Sequence, residues 1–525
     1  MFWVDKVVEE IKQARGADIA SGETLIIRDE KTASGRVHVG SMRGVAIHGI
    51  VSEALRAAGV STSYLYEIND FDPMDGLPNY LDAAVYTEHM GKSLLDVPSP
   101  DGIAKNFPEY YGQEFEKVIT DTGYSPSFYR ASTLYLQGRM NEVIQLALDR
   151  AALIRDIYKE VSGSVKPTDW HPLNVICENC GKIGTTRVSS WDGKQVTYTC
   201  EPEIVKWAKG CGHTGTTTPF DGRAKLPWKV EWAAKWRVMN VAIEGAGKDH
   251  GTRGGSRQVA ERISREVFAF EPPFDIPYEF FLVGGAKMSS SKGKGSSARE
   301  VADLFPPHIF RLQLTITPMR AINLEPEGET LPILFDTYDK FAQKYWSGEK
   351  DDDARHFELV HFGNPPEQHF LPRFSTVAFL CQIPYVSMEE EFAKAKGAGL
   401  SDIEKAEIEE RARYARHWLQ AHAPERYKFE LQKEVPDAAR SLDEAQKKSL
   451  EKILAFLQEN PQVSGEDLHA KLHEIRKETD LEPAKFFSSL YLSILGKESG
   501  PQAGWFLSKL DRNFLLTRLA AVIND

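Results

Sequence analysis

Two short β-rich runs, residues 24–28 (TLIIR) and 61–68 (STSYLYEI), flank a polar loop and one apolar-periodic helix. On that helix Val45, Ala46, Ile50, Ala54, Leu55 and Ala58 share a face, and Gly59 supplies the stop. Antiparallel neighbours need only a tight turn between them, whereas a whole helix as the connection is what parallel neighbours require. The unit is therefore βαβ and its sheet is parallel. Ligands of such sheets bind beyond the carboxyl ends of the strands, so the chemistry is sought in the loops that follow each strand.

The pattern breaks over residues 96–225, which hold proline, glycine, aromatics and four of the five cysteines. It resumes with a strand at 238–243 (VMNVAI), the loop EGAGKDHGTRGGS, a helix from Ser256 and a third strand at 280–283 (FFLV). This predicts an α/β fold: a Rossmann-like, doubly wound parallel sheet with a large insertion. The last third differs. Ser401 with Glu404 and Ser441 with Glu444 match the capping box. Ile408, Ala412, Ala415 and Leu419, then Leu450, Ile453, Leu454 and Leu457, keep helical spacing, Asn460-Pro461 stops the second helix, and Leu468, Leu472 and Ile475 continue the pattern. The expected division is 1–95 and 226–300 for the two halves of the sheet domain, 96–225 for the insertion, 301–350 for a contact region or linker and 351–525 for an all-α domain.

At 525 residues the chain is too long for one hydrophobic core. No apolar run approaches the roughly 18 residues of a membrane span. The opening MFWVDKVVEE carries acids and lacks the apolar segment of a signal peptide. Five cysteines do not make a disulfide scaffold, so the expected setting is a reducing cytoplasm. With 64 basic and 76 acidic residues the chain does not wrap nucleic acid by bulk charge, though a local basic face remains open to it.

Two loops carry the chemistry. TASGRVHVGSMRG (32–44) lies between a strand and a helix and is neither a dinucleotide fingerprint nor a P-loop. It places His38 at a helix N-terminus, where free N–H groups attract an anion, with Gly40 two residues on to admit a flat ring. GGAKMSSSKGKGSS (284–297) follows an apolar strand and holds three lysines, flexible point charges suited to a phosphate that moves during reaction. The cysteines form a separate site. Cys177-Glu-Asn-Cys180-Gly-Lys is a zinc knuckle, and with Cys200 and Cys211 it suits tetrahedral structural Zn²⁺, with His213 as a possible replacement for one thiolate. A redox pair or unrelated buried thiols are the rival readings. Cys381 is expected in a core.

H-V-G-S and K-M-S-S-S together resemble the two signatures of class I aminoacyl-tRNA synthetases. The chain is most similar to the class I lysyl-tRNA synthetases, on FWVDKVVEEI, the T-A-S-G-x-x-H-x-G form, NDFDPMDGLP, LPWKVEWAAKW, GKDH with its following GGS, KMSSSKG, and GPQAGWFLSKL near the end. The resemblance implies that lysine's carboxylate attacks the α-phosphate of ATP and that the lysyl group then passes to the 3′-terminal ribose of tRNA(Lys), with Mg²⁺ accompanying ATP and with activation dependent on bound tRNA. It implies catalytic roles for His38, Lys287 and Lys292. It implies ATP contacts from His38, Gly40, Ser41, Gly247, Asp249, His250 and the loop Lys287, Met288, Ser289, Ser290 and Ser291. Ser41 stands where the class carries His or Asn, Ser290 where many members carry a second lysine, and Glu30 where a glycine is expected at the wall of the amino-acid pocket. Replacement of His38 or Lys287 by Ala is expected to leave a folded but crippled enzyme.

A lysine substrate needs a carboxylate for its ammonium group. Glu67, Asp70 and Asp72, just past the second strand, are the candidates, with Thr32, Trp228, His250 and Tyr278 as pocket neighbours. Trp228, Trp232 and Trp236 form one helical stripe, of which the last two read as core. Some family members carry a second metal site before the insertion; here that stretch, VPSPDGIAKNFPEYY, has no histidine, so one zinc is expected. The helical domain is expected to read the anticodon, with Arg411, Arg413 and Arg416 on a solvated helix face rather than on tRNA. A glutamyl or arginyl synthetase would share both signatures. A nucleotidyltransferase with the same histidine element would leave the helical third unused, and a non-catalytic zinc-ribbon protein would leave both phosphate loops unused.

Overall fold

The computed structural model describes residues 1–285, 295–325 and 327–525. These form two compact units, Met1–Glu325 with Lys340–Glu367 and Pro326–Asp339 with Gln368–Asp525. Lys287, Met288, Ser289, Ser290, Ser291 and Lys292 lie outside the described residues.

The first unit is built on a four-stranded parallel sheet, and the βαβ unit is its centre. Strands Leu25–Thr32 and Thr62–Asn69 pair in register, Leu25 with Thr62 and Thr32 with Asn69. The connecting helix, Met42–Ala57, is buried along nearly its whole length, which is why its sequence is apolar well beyond one stripe. Ser127–Arg130 extends the sheet on one side and Val241–Ile243 on the other.

Three features depart from expectation. The strand Ser127–Arg130 and the helix before it, Phe107–Asp121, fall within the stretch assigned to the insertion. An edge strand of four partly exposed residues (SFYR) has no apolar run to betray it. The segment 238–243 is not one strand: the helix Trp228–Met239 runs through Val238 and ends at Asn240, whose φ of 51° is the left-handed stop, leaving only Val241–Ile243 extended. Phe281–Val283 does not join the main sheet; it pairs in parallel with Ile322–Leu324 in a sheet of two.

The insertion proper contains the antiparallel strands Thr186–Trp191, Val196–Cys200 and Thr214–Thr217. Residues 351–367, expected in the helical domain, belong to the first unit. His356 there hydrogen-bonds Thr315 at 2.8 Å, and Arg311 donates to the Val360 carbonyl at 2.7 Å.

The second unit is helical, with Leu450, Ile453, Leu457, Leu468, Leu472 and Ile475 in one core. The Ser401–Glu404 capping box is formed. The other is made by Asp443 and Gln446 instead of Ser441 and Glu444, since an Asx cap two residues on offers the same reciprocal pair of bonds. Arg411 is not on a solvated face. It is fully buried, donates to Asp339, Glu407 and the Pro372 carbonyl, and so recovers by charge-assisted bonds what burial takes from it.

Candidate active site

At the carboxyl edge of the main sheet two adjoining cavities open, of about 380 and 510 Å³. They share Glu30, Thr32, Trp228 and His250 as common wall. The first also takes in His38, Gly40, Ser41, Gly247, Asp249 and Tyr278, so residues from three separate segments meet there. Asp72 lies on the second cavity. Asp70 is on neither. Its carboxylate is buried and accepts from the Ser132 N–H at 2.8 Å and from the Ser132 hydroxyl at 2.5 Å.

Each of these side chains is placed by an identifiable element. His38 precedes the short 3-10 turn Val39–Ser41 that leads into the Met42–Ala57 helix. Its segment is held from across the rim: Val39 N–H donates to the Ser296 carbonyl at 3.2 Å, and Ala298 N–H to that of Val37 at 2.8 Å. Phe281 and Leu282, at the other flank of 286–294, line the first cavity. The residues on both sides of 286–294 thus lie beside the His38 segment or its cavity. Burial, aided by Lys31, pulls His38 down to a pKa of about 3, so at neutral pH it is an uncharged imidazole.

His48 ties the buried helix to the loop after Val241–Ile243. Its Nε2 accepts from Gly245 N–H at 2.7 Å, which leaves Nδ1–H to donate to the Gly44 carbonyl at 2.8 Å. Gly245 is required at that point, because a Cβ there would stand 2.3 Å from the Ile276 carbonyl oxygen. The loop continues as a bridge to Tyr278, with Lys248 N–H on the Tyr278 carbonyl at 2.9 Å. His250 then sits edge-on to Trp228 and Trp232, at 5.7 and 5.8 Å. Of the tryptophan stripe, Trp236 and Trp232 are buried and each donates its indole N–H to Glu244, while Trp228 is 45% exposed and lines both cavities.

Beneath the site lies a buried ion network whose extent the sequence did not disclose. Arg28, wholly buried, pairs with Glu244 at 2.7 Å, Glu67 at 2.8 Å and Glu30, and donates from Nε to Tyr129. Lys235 pairs with Glu67 and with Glu231 at 3.2 Å. Lys225 pairs with Glu231 at 2.6 Å and with Asp72 at 2.9 Å, and Asp72 also accepts from the Thr32 hydroxyl at 2.8 Å. The one local signal was Glu231 four residues before Lys235 on a helix. Burial alone would raise the Glu67 carboxyl, but Lys235 and Arg28 outweigh it and hold the pKa at about 2. Glu67's folded pKa thus lies below its ordinary value of 4.5. Its stabilising contribution, on the order of 3 kcal/mol, is complete above pH 4.5 and is lost as pH falls toward 2. Thermal melts of Glu67→Gln against pH are expected to start lower at neutral pH and to decline less than wild type between pH 4.5 and 3.

The four cysteine sulfurs lie within 4.8 Å of one another, with Cys177 to Cys211 at 3.6 Å and Cys180 to Cys200 at 3.7 Å. Thiolates about 2.3 Å from a tetrahedral Zn²⁺ stand about 3.8 Å apart, so this donor set can hold that ion. Gly181, at φ 72°, makes the knuckle, and Cys200 and Cys211 are brought together by Gly212 N–H on the Cys200 carbonyl at 2.8 Å. His213 packs on the Tyr198 ring and is not part of the cluster.

A family model for class I (K) tRNA synthetases matches residues 1–365, and one for an anticodon binding domain matches 406–523. With the parallel sheet and the two signature motifs of the sequence, these define a class I aminoacyl-tRNA synthetase. The chain is 32% identical over 557 residues to a lysine–tRNA ligase of Methanosarcina barkeri (strain Fusaro / DSM 804), covering 100% of this chain and 98% of that one. It is 33% identical over 543 residues to lysine–tRNA ligase 1 of Methanosarcina acetivorans, covering 99% and 98%. The chain belongs to the class I lysyl-tRNA synthetase family. Among solved structures, a glutamate tRNA ligase from Elizabethkingia meningosepticum aligns over 96% of this chain and 99% of its own, with a TM-score of 0.43 and 11% identity. No helix among the described residues is long and apolar enough to cross a membrane.

Proposed function

We propose that this enzyme activates L-lysine with ATP and transfers the lysyl group to the 3′ end of tRNA(Lys). The observation that carries the reading is the meeting of His38, Gly40, Ser41, Thr32, Trp228, Gly247, Asp249, His250 and Tyr278 on one cavity at the sheet's carboxyl edge. The lysine carboxylate attacks the α-phosphate, the bond to the β-phosphate breaks, and pyrophosphate leaves. No side chain becomes covalently modified, so the protein's contribution is positioning and electrostatic complementarity to the transition state.

In this reading His38 donates its N–H on the phosphate side, Gly40 and Ser41 meet the adenosine, and Gly247, Asp249 and His250 form the far wall. Lys287 and Lys292, with Met288 and Ser289 to Ser291 between and beside them, attend the β- and γ-phosphates. Mg²⁺, bound with the triphosphate, would neutralise its charge. Thr32, Asp72, Trp228, His250 and Tyr278 surround the amino acid. Zn²⁺ would sit on Cys177, Cys180, Cys200 and Cys211 and shape the fold rather than the reaction. The helical unit takes the anticodon, and the enzyme works in the cytoplasm.

The test is charging of total tRNA with each of twenty radiolabelled amino acids, with ATP and Mg²⁺ present. Lysine alone is expected to be charged. Charging of glutamate or arginine instead would overturn the substrate, and no charging by folded protein would favour a nucleotidyltransferase.

A further inference from the structure

The ion network beneath the site is unbalanced. Its linked members are the bases Arg28, Lys225 and Lys235 and the acids Glu30, Glu67, Glu231, Glu244 and Asp72, so it holds two more acids than bases. Four of the acids are accounted for. Glu67 bonds Arg28 and Lys235, and Glu231 bonds Lys225, Lys235 and the Tyr135 hydroxyl. Glu244 bonds Arg28 and two indoles, and Asp72 bonds Lys225 and Thr32. Glu30 is the surplus. Its carboxylate does bond Arg28, but Arg28 and Lys235 each have two other carboxylates, and Glu30 lies 3.7 Å from Lys235. Its side chain is 32% exposed where the other acids of the Arg28 and Lys235 pairs are 3% or less. That exposure faces the cavities, since Glu30 lines both and is, among the described residues, the only acid they share.

Taken with the lysine reading above, on which it rests, we propose that Glu30 is the residue that selects the substrate by pairing with its ε-ammonium group. The strand sets the distance. Glu30 and Thr32 are two positions apart on Leu25–Thr32, hence on one face and about 6.6 Å apart along it. An extended lysine spans about 6 Å from Cα to its side-chain nitrogen. With the reacting carboxylate near the sheet edge beside Thr32, the ammonium reaches the level of Glu30, and Trp228 on the shared wall offers its ring to the methylenes between. A cation there also relieves the network's excess of negative charge. Without one, burial raises the Glu30 carboxyl's pKa despite Arg28 and Lys235.

The experiment compares wild type, Glu30→Gln and Glu30→Asp in tRNA charging, with norleucine, which lacks the ammonium group, as competitor. Wild type must first charge lysine; if it charges another amino acid, the function proposed above fails and not merely the role of Glu30. Glu30→Gln is expected to raise the KM for lysine about 100-fold or more, with kcat within about threefold and the KM for ATP unchanged. Its inhibition constant for norleucine is expected to stay the same or improve, so discrimination against norleucine falls by the same factor. Glu30→Asp keeps the charge and is expected to recover most of the discrimination, with a lysine KM about tenfold above wild type. A lysine KM within twofold of wild type in Glu30→Gln would overturn the proposal, as would equal weakening of lysine and norleucine. Should Glu30→Gln not fold, an unchanged lysine KM in Glu30→Asp would overturn it equally.

Discussion

Cys177→Ala, or exhaustive chelation of the wild-type protein, is expected to release one zinc ion per chain and to unfold the insertion module while the parallel sheet stays intact. The module's strands are short, and although Val188, Val196 and Tyr198 join the main core, it is the four thiolates that tie the knuckle to the segment holding Cys200 and Cys211. Structural zinc in comparable small modules is worth about 10–16 kcal/mol of folding free energy. The fastening extends to the active site. Ile183 and Gly184, just past the knuckle, donate their N–H groups to the Gly91 carbonyl at 2.8 and 2.9 Å, and Gly91 N–H in turn donates to that of Met74 at 2.9 Å. Gly184 and Trp207, from the two halves of the cysteine site, line the second cavity with Asp72 and Pro73. Metal loss is therefore expected to raise the KM for lysine by an order of magnitude or more, to leave the KM for ATP within about twofold, and to add a calorimetric transition on the order of 10 °C below that of the holoenzyme. Metal analysis and calorimetry on the same samples decide it: metal-free protein with an unchanged melting profile would refute the structural role.

His38→Ala is expected to lower kcat by about 10²–10³ and to leave the melting temperature within a degree or two. The rate effect follows from where the imidazole stands, a neutral N–H donor at the head of a turn that leads into the buried helix. Stability is spared because the segment is fixed through backbone atoms, Val39 N–H on Ser296 and Ala298 N–H on Val37, and these bonds survive the substitution. With its pKa held at about 3 in the free enzyme, His38 contributes no ionisation to kcat/KM between pH 5 and 8. The variant's kcat/KM profile over that range should therefore be parallel to wild type and displaced downward. A lost acid limb would show that His38 titrates and works as a charged group.

The candidate site was legible in unequal parts. His38 and Gly40 stood out by a local turn context and the cysteines by their spacing, whereas Gly247 and Asp249 entered only through the family resemblance; the fold brings those four to one cavity and four of the cysteines within 4.8 Å of one another. Asp70 and Asp72, two positions apart just past a strand, are equivalent in sequence. Only the fold turned one carboxylate into Ser132 and the other toward a cavity. Arg411 read as part of a solvated basic face, yet partners 4 and 72 positions away bury it.

What the sequence alone determined is the order of the layers. A helix between two β-rich runs requires parallel strands, capping residues and apolar spacing define the helical third, and the loop that carries His38 must then fall at the carboxyl edge of the sheet. The tertiary structure decided the rest: that Ser127–Arg130 completes the sheet, that Phe281–Val283 leaves it, and that eight charged residues from distant segments meet under the floor. The physical reason is one of range. Hydrophobic periodicity and turn chemistry act over a few residues and are written in neighbouring letters. The pairing of buried charges depends on which side chains are driven together when water is excluded, and Arg28 finds Glu244 across 216 positions of chain.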